Sequence, residues 1–209
     1  EEVFQRAQSE YIQFGCAAAF SAVICGDTPV WLGRDRQGQA RVLAGRGQRV
    51  STRAIEERFE GRDLKYSRAY SYSDGPHTFY CLNVPGVPTT LVYDLAFQQW
   101  HERAELVNGD YRQWRPTCHA FAYGSHFFGA DDGRIFRMRR EVHNFGGSVK
   151  VRDRIAPVVS ASSRKRLRFP SFELICEKAG GKEVMLRWSD DNGATWSNWH
   201  RESSGATGE

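Results

Sequence analysis

Six histidines and five cysteines are the residues of this 209-residue chain best suited to holding a metal or to acid–base and nucleophilic chemistry. Their spacing does not concentrate that capacity. His77, His101, His119, His126, His143 and His200 make neither an H-x-H nor an H-x-x-x-H pair, so a metal site would have to be assembled from distant strands. Cys16, Cys25, Cys81, Cys118 and Cys176 are odd in number and contain no C-x-x-C, which points to buried, reduced thiols rather than a disulfide framework or a zinc ribbon. Gly45-x-Gly47 lacks the Gly-Lys-Ser/Thr that completes a phosphate loop, and no Gly-x-Ser-x-Gly elbow occurs. Asp131-Asp132-Gly133 reads as a type I turn, since no further oxygen ligands follow at the spacing of a calcium loop. The chain is therefore expected to have no cofactor, no metal ligands and no catalytic set.

Arginines, tyrosines and carboxylates are plentiful enough to raise a second chemistry, glycoside hydrolysis, which needs an arginine cluster, a nucleophile and a carboxylic acid. Arg154-Ile155-Ala156-Pro157 interrupts the Arg-Ile-Pro entry of sialidases with an alanine, so a sialidase-like hydrolase is the least favoured reading. The sharpest local motif is Ser189-Asp190-Asp191-Asn192-Gly193-Ala194-Thr195-Trp196, which resembles the Asp-box, Ser-x-Asp-x-Gly-x-Thr-Trp. Its physics is that of a folded turn: Asp191 accepts hydrogen bonds from backbone N–H groups, Gly193 takes a positive φ, and Trp196 folds back over the hairpin, with Ser189 and Thr195 completing the set. The motif specifies structure rather than catalysis.

The elements that must carry these residues are strands. Hydrophobic residues make up 40% of the chain, aromatics 13% and charged residues 26%, the balance of a folded protein, and no apolar run approaches the roughly 20 residues of a membrane-spanning helix. Helical periodicity is nearly absent, whereas short runs of Val, Ile, Phe, Tyr, Trp and Thr are bounded by Gly, Asp and Pro. The runs group into units near residues 14–52, 66–106 and 116–140, whose starts lie about 50 residues apart, the period of β-propeller blades. The fold class is thus all-β and propeller-like. One short helix, Ser51 to Phe59 with Ser51 or Thr52 as cap, is expected between the first two units. Residues 1–145 then form the blades. Residues 146–209 add further strands of the same body, at Ser148 to Ile155 and Arg166 to Glu177, and a hairpin of Glu183 to Trp188 with Trp196 to Arg201. The chain is expected to continue beyond both ends.

Charge is unevenly spread. Between Arg134 and Arg168 nine arginines and two lysines face Glu141 and Asp153, a local charge of +9, so the remainder carries −5 within the total of +4. Such asymmetry suggests a charged partner surface. Arg137, Arg139, Arg140, Arg152, Arg154, Arg164 and Arg166 are candidates for intersubunit contact, because guanidinium pairs bidentately with carboxylates, and Glu56, Glu57, Glu60 and Asp63 are candidate counterparts.

A longer signature runs through the chain. Trp31-Leu32-Gly33-Arg34, Ala69-Tyr70-Ser71-Tyr72, His77-Thr78-Phe79-Tyr80, Pro85, Thr90-Leu91-Val92-Tyr93-Asp94, Trp100-His101-Glu102-Arg103 and Met185-Leu186-Arg187-Trp188-Ser189-Asp190-Asp191 together resemble the packaged-DNA stabilisation proteins of short-tailed bacteriophages, also called tail-hub or nozzle proteins. The resemblance implies a structural virion protein, not an enzyme. It implies assembly in the host cytoplasm into a ring, hexameric in that family, which extends the tail tube below the portal adaptor and helps retain packaged DNA. The implied partners are the portal adaptor, a tail spike or fibre, a needle or plug, and further copies of the chain; DNA passes nearby without specific binding, and no membrane is involved. The alternative reading is a propeller that serves as a protein–protein interaction module.

Overall fold

A computed structural model describes residues 12–139, 141–160, 167–175 and 183–204, and the chain divides into two compact units, residues 1–152 and 153–209. The first unit is built from antiparallel strands. Strands β1 (Gly15–Cys16), β2 (Val23–Cys25), β3 (Thr28–Arg34), β4 (Ala40–Ala44) and β5 (Gln48–Arg49) form the first sheet, in which β1 and β2 both pair with β3 on either side of a 3-10 turn at Ala19–Ser21. Helix α1 (Arg53–Glu57) and a second 3-10 turn, Leu64–Tyr66, lead to β6 (Arg68–Asp74), β7 (His77–Asn83), β8 (Thr90–Asp94), β9 (Gln99–Val107) and β10 (Asp110–Gln113), a meander in strict sequence order. The third sheet is β11 (Pro116–Ala122), β12 (Ser125–Ala130) and β13 (Ile135–Arg137), followed by the short pair β14 (Asn144–Phe145) and β15 (Ser148–Val149).

Alternation along β7 explains why the sheets stack. Tyr80 and Leu82 join Val30, Leu32, Val42, Ile55, Phe59, Leu91 and Tyr93 in a core between the first and second sheets. Their neighbours Phe79 and Cys81 turn to the opposite face, where Cys81 joins Tyr70, Tyr72, Val92, Trp114 and Phe128 between the second and third sheets, with Phe79 packed against them. The middle sheet is therefore buried on both faces, and each fully buried Leu or Val contributes about 1.5 to 3 kcal/mol. Polar ties cross the same boundaries: Tyr80 Oη donates to the Ser21 carbonyl at 2.9 Å, Trp100 Nε1 to Val50 O at 2.8 Å, and Asn83 Nδ2 to Pro116 O at 3.2 Å. β6 lies against both β2 and β11, so the first strand of the second sheet adjoins a strand of each neighbouring sheet. This is the arrangement of propeller blades.

Turn chemistry sets the registers. Asn108 (φ 53°) and Gly109 (φ 89°) occupy the two-residue loop joining β9 to β10, and Tyr123 (φ 50°) with Gly124 (φ 67°) joins β11 to β12, both with the paired positive φ of a type I′ hairpin.

Several expectations change. Helix α1 starts after Thr52, but neither candidate hydroxyl caps it; the Ser51 hydroxyl instead accepts from the Val42 N–H at 3.0 Å and donates to Glu56 at 2.7 Å, tying the helix to β4. The strand expected over Ser148 to Ile155 is confined to the Ser148–Val149 pairing, and residues 150–160 and 167–175 have no regular structure. Gly146-Gly147 already bends the chain with φ of 54° and 97°, and the stretch that follows lacks the aromatic alternation that gives other strands a face to bury. Arg166, Cys176 and Glu177, at the ends of the other expected strand, lie outside the described residues.

The second unit contains a hairpin of β16 (Glu183–Leu186) and β17 (His200–Ser203). Its second strand begins four residues later than expected, because Trp196 to Trp199 belong to the loop that the Asp-box shapes.

Candidate interaction surface

The seven arginines singled out from charge do not gather in one place. Arg137 closes β13, Arg139 follows it and Arg152 ends the first unit, all three exposed; Arg154 is exposed in the second unit, and Arg140, Arg164 and Arg166 lie outside the described residues. What unites the described four is the lack of a carboxylate partner among the described residues. Several arginines elsewhere in the first unit are engaged: Arg49 grips Glu56 through Nε and Nη2, both at 2.7 Å, Arg53 reaches Glu57 at 3.0 Å, Arg58 reaches Glu102 at 2.9 Å, and Arg115 forks onto the buried Glu105. Arg134 pairs with Asp132 in its own turn, its Nε 2.8 Å from Oδ2.

The same pairings occupy most of the expected acidic counterparts. Glu56 and Glu57 are held by arginines of their own chain, and Asp63 accepts the Lys65 N–H at 3.1 Å, while the exposed Glu60 carboxylate has no ion pair among the described residues. Positive charge concentrates further at Lys150, whose ammonium is held below the ordinary lysine range by burial and by repulsion from Arg152 and Arg103. Exposed, unneutralised guanidinium groups are suited to docking on an anionic surface, where the ion pairs form only in the complex.

Arg103 is a cation of a different kind. Its guanidinium lies 4.6 Å from the Phe79 ring centre, 4.9 Å from Trp114 and 5.4 Å from Tyr72, and it donates to the Tyr72 hydroxyl and to His101 Nε2 at 3.2 Å. Burial, with Arg103 adding repulsion, holds the His101 imidazole down at about 4. Close by, His77 Nδ1 meets Asp94 at 2.5 Å and stacks between Phe79 and Phe97. The sequence gives the composition of this cage, Trp100-His101-Glu102-Arg103 included, but no spacing that reveals it, since its rings come from three strands and a loop. The pairing of His119 with His126 is different: hairpin register across the Tyr123-Gly124 turn places both on one face.

Ser189, Asp191, Gly193 and Thr195 are joined by hydrogen bonds within one turn. Asp191 Oδ1 accepts the Thr195 N–H at 2.7 Å and the Ser189 hydroxyl at 2.8 Å, Oδ2 accepts the Thr195 hydroxyl at 2.6 Å, and Ser189 Oγ accepts the Gly193 N–H at 2.7 Å. Gly193 stands at φ 90°, with Trp196 beside it. These bonds hold the Asp191 carboxyl down at about 2, the Thr195 hydroxyl and amide contributing most. Arg187 lies between Trp196 and Trp199, 4.7 and 4.2 Å from their ring centres, and Trp188 stacks on His200. Every acceptor on Asp191 is thus occupied within the turn, an arrangement for holding backbone.

Among the described residues no three His, Cys, Asp or Glu side chains come together as a metal-holding group, and no helix is long and apolar enough to cross a membrane. The model of the phage stabilisation family, described as bacteriophage P22 Gp10, β-propeller, matches residues 1–143. The chain belongs to this family. Among curated proteins no match is found. Phage stabilisation proteins are structural rather than enzymatic, and the three sheets of residues 15–137 are the propeller part of this member.

Proposed function

We propose that this phage stabilisation protein is a tail component of the virion that assembles as a ring below the portal adaptor, extends the tail tube and helps retain packaged DNA without catalysis. The observation that carries the reading is the family match over residues 1–143, the part of the chain that forms the stacked sheets. A stack buried on both faces of its middle sheet changes shape little on binding, which suits a part that must bear internal pressure while offering edges and loops to its neighbours. Arg137, Arg139 and Arg152 supply contacts to acidic surfaces of adjacent tail subunits, and tightly held DNA phosphates would instead impede genome exit. Electron microscopy of virions decorated with antibody against this chain tests the proposal: label between portal and tail tip is the expected result. Label on the capsid shell, or its absence from particles, overturns it.

A further inference from the structure

The β11–β12 hairpin sets two imidazoles nitrogen to nitrogen, with His119 Nε2 and His126 Nδ1 2.9 Å apart. Register is the reason. Phe121 pairs with His126 and His119 with Phe128, so the two histidines are diagonal neighbours on one face of the sheet. Tyr72 of the second sheet packs on both rings, at 5.6 and 5.9 Å between centres, while Phe128 lies 5.1 Å from His119 and Phe121 4.9 Å from His126. Both residues remain half-exposed, so water reaches them.

We propose that His119 and His126 form a two-imidazole site for a divalent transition-metal ion of the copper or nickel type, bound through His119 Nε2 and His126 Nδ1 with water completing the coordination shell. Metal–imidazole bonds of about 2.0–2.1 Å put cis nitrogens roughly 2.9 Å apart in tetragonal geometry and roughly 3.3 Å apart in tetrahedral geometry. The two nitrogens share a hydrogen bond at 2.9 Å, a separation close to the tetragonal one, and a metal takes the place of the shared proton once the rings rotate until both lone pairs converge. An all-nitrogen pair without carboxylates does not suit calcium or magnesium, which take oxygen ligands. A metal takes both imidazoles in their neutral form, each through a free nitrogen lone pair. In the contact between the rings, His119 Nε2 accepts when His119 carries its proton on Nδ1, and that tautomer leaves Nε2 available to ligate. His126 meets the metal by moving its proton from Nδ1 to Nε2, with no net proton released.

Copper titration of the intact chain, followed by electron paramagnetic resonance, tests this. One copper(II) ion per chain with hyperfine coupling to two nitrogens is expected. His119→Gln and His126→Gln should each weaken binding about tenfold or more, while His143→Gln and His200→Gln leave it unchanged. Should either variant fail to fold, copper-catalysed oxidation of the unaltered chain with ascorbate and peroxide locates the ion, and mass spectrometry should find oxidised histidine at positions 119 and 126. A signal from one nitrogen or none, binding that survives both substitutions, or oxidation centred elsewhere overturns the site.

Discussion

Asp191 shows how one side chain can organise a turn: two oxygens receive three hydrogen bonds within a loop of seven residues, and the carboxylate is favoured over the acid so strongly that it titrates near 2. A folded-state value below the ordinary carboxylate range means that the stabilisation is fully present above about pH 4 and is lost as pH falls toward 2. Amide exchange at Gly193 and Thr195 should therefore accelerate over that interval, and Asp191→Ala should give fast exchange at all pH values while the sheets of the first unit keep their protection. His101 gives a second titration. Its imidazole is pushed down to about 4 by burial and Arg103, so the neutral ring belongs to the folded state and stability declines as pH falls from about 6.5 toward 4. Urea unfolding between pH 7 and 4.5 should show that decline, and His101→Gln should flatten it. An unchanged slope in the variant would place the acid sensitivity in another group.

At the scale of elements, the contacts between sheets govern stability. Tyr80→Phe removes the bond to the Ser21 carbonyl and should cost about 1 kcal/mol, whereas Tyr80→Ala also opens the core between the first two sheets and should cost roughly 3–5 kcal/mol by urea denaturation. The strands of these sheets were legible because alternation and turn residues agree: Phe79-Tyr80-Cys81-Leu82 reads as two faces, and both faces are buried. Asn108-Gly109 was an equally plain hairpin signal for β10, yet Asp110-Tyr111-Arg112-Gln113 has no buried residue to mark it as a strand. Helix α1 was readable from its charged face, but its cap was not, because the Ser51 hydroxyl is claimed by β4 and Glu56, groups that sequence separation conceals. The hydrogen bonds of the Asp-box loop are all local, within the residues from Ser189 to Thr195. The Arg103 cage depends on strand register and on neighbours tens of residues away, whereas the His119–His126 pair follows from the register of one local hairpin.

For the whole molecule, charge rather than packing distinguishes one region from another. The first unit neutralises several of its arginines at Glu56, Glu57, Glu102, Glu105 and Asp132, and among the described residues Arg137, Arg139 and Arg152 pair with none of these carboxylates. An excess of +9 between Arg134 and Arg168 raises the cost of bringing like regions together unless carboxylates from a neighbour are interposed. If those carboxylates belong to adjacent tail subunits, combining Arg137→Glu, Arg139→Glu and Arg152→Glu should weaken assembly, most strongly at about 0.05 M salt and least at about 0.5 M, where surface charges are screened. Because the three side chains are exposed, the thermal midpoint of the isolated chain should move by no more than a surface substitution does. Light scattering of the chain with and without tail complexes reads the assembly, and a fluorescent duplex reads nucleic-acid binding. Retained assembly with loss of duplex binding would assign the arginines to DNA. Loss of assembly with duplex binding untouched, restored in part by reversing Glu60→Arg on the opposing copy, would assign them to the ring.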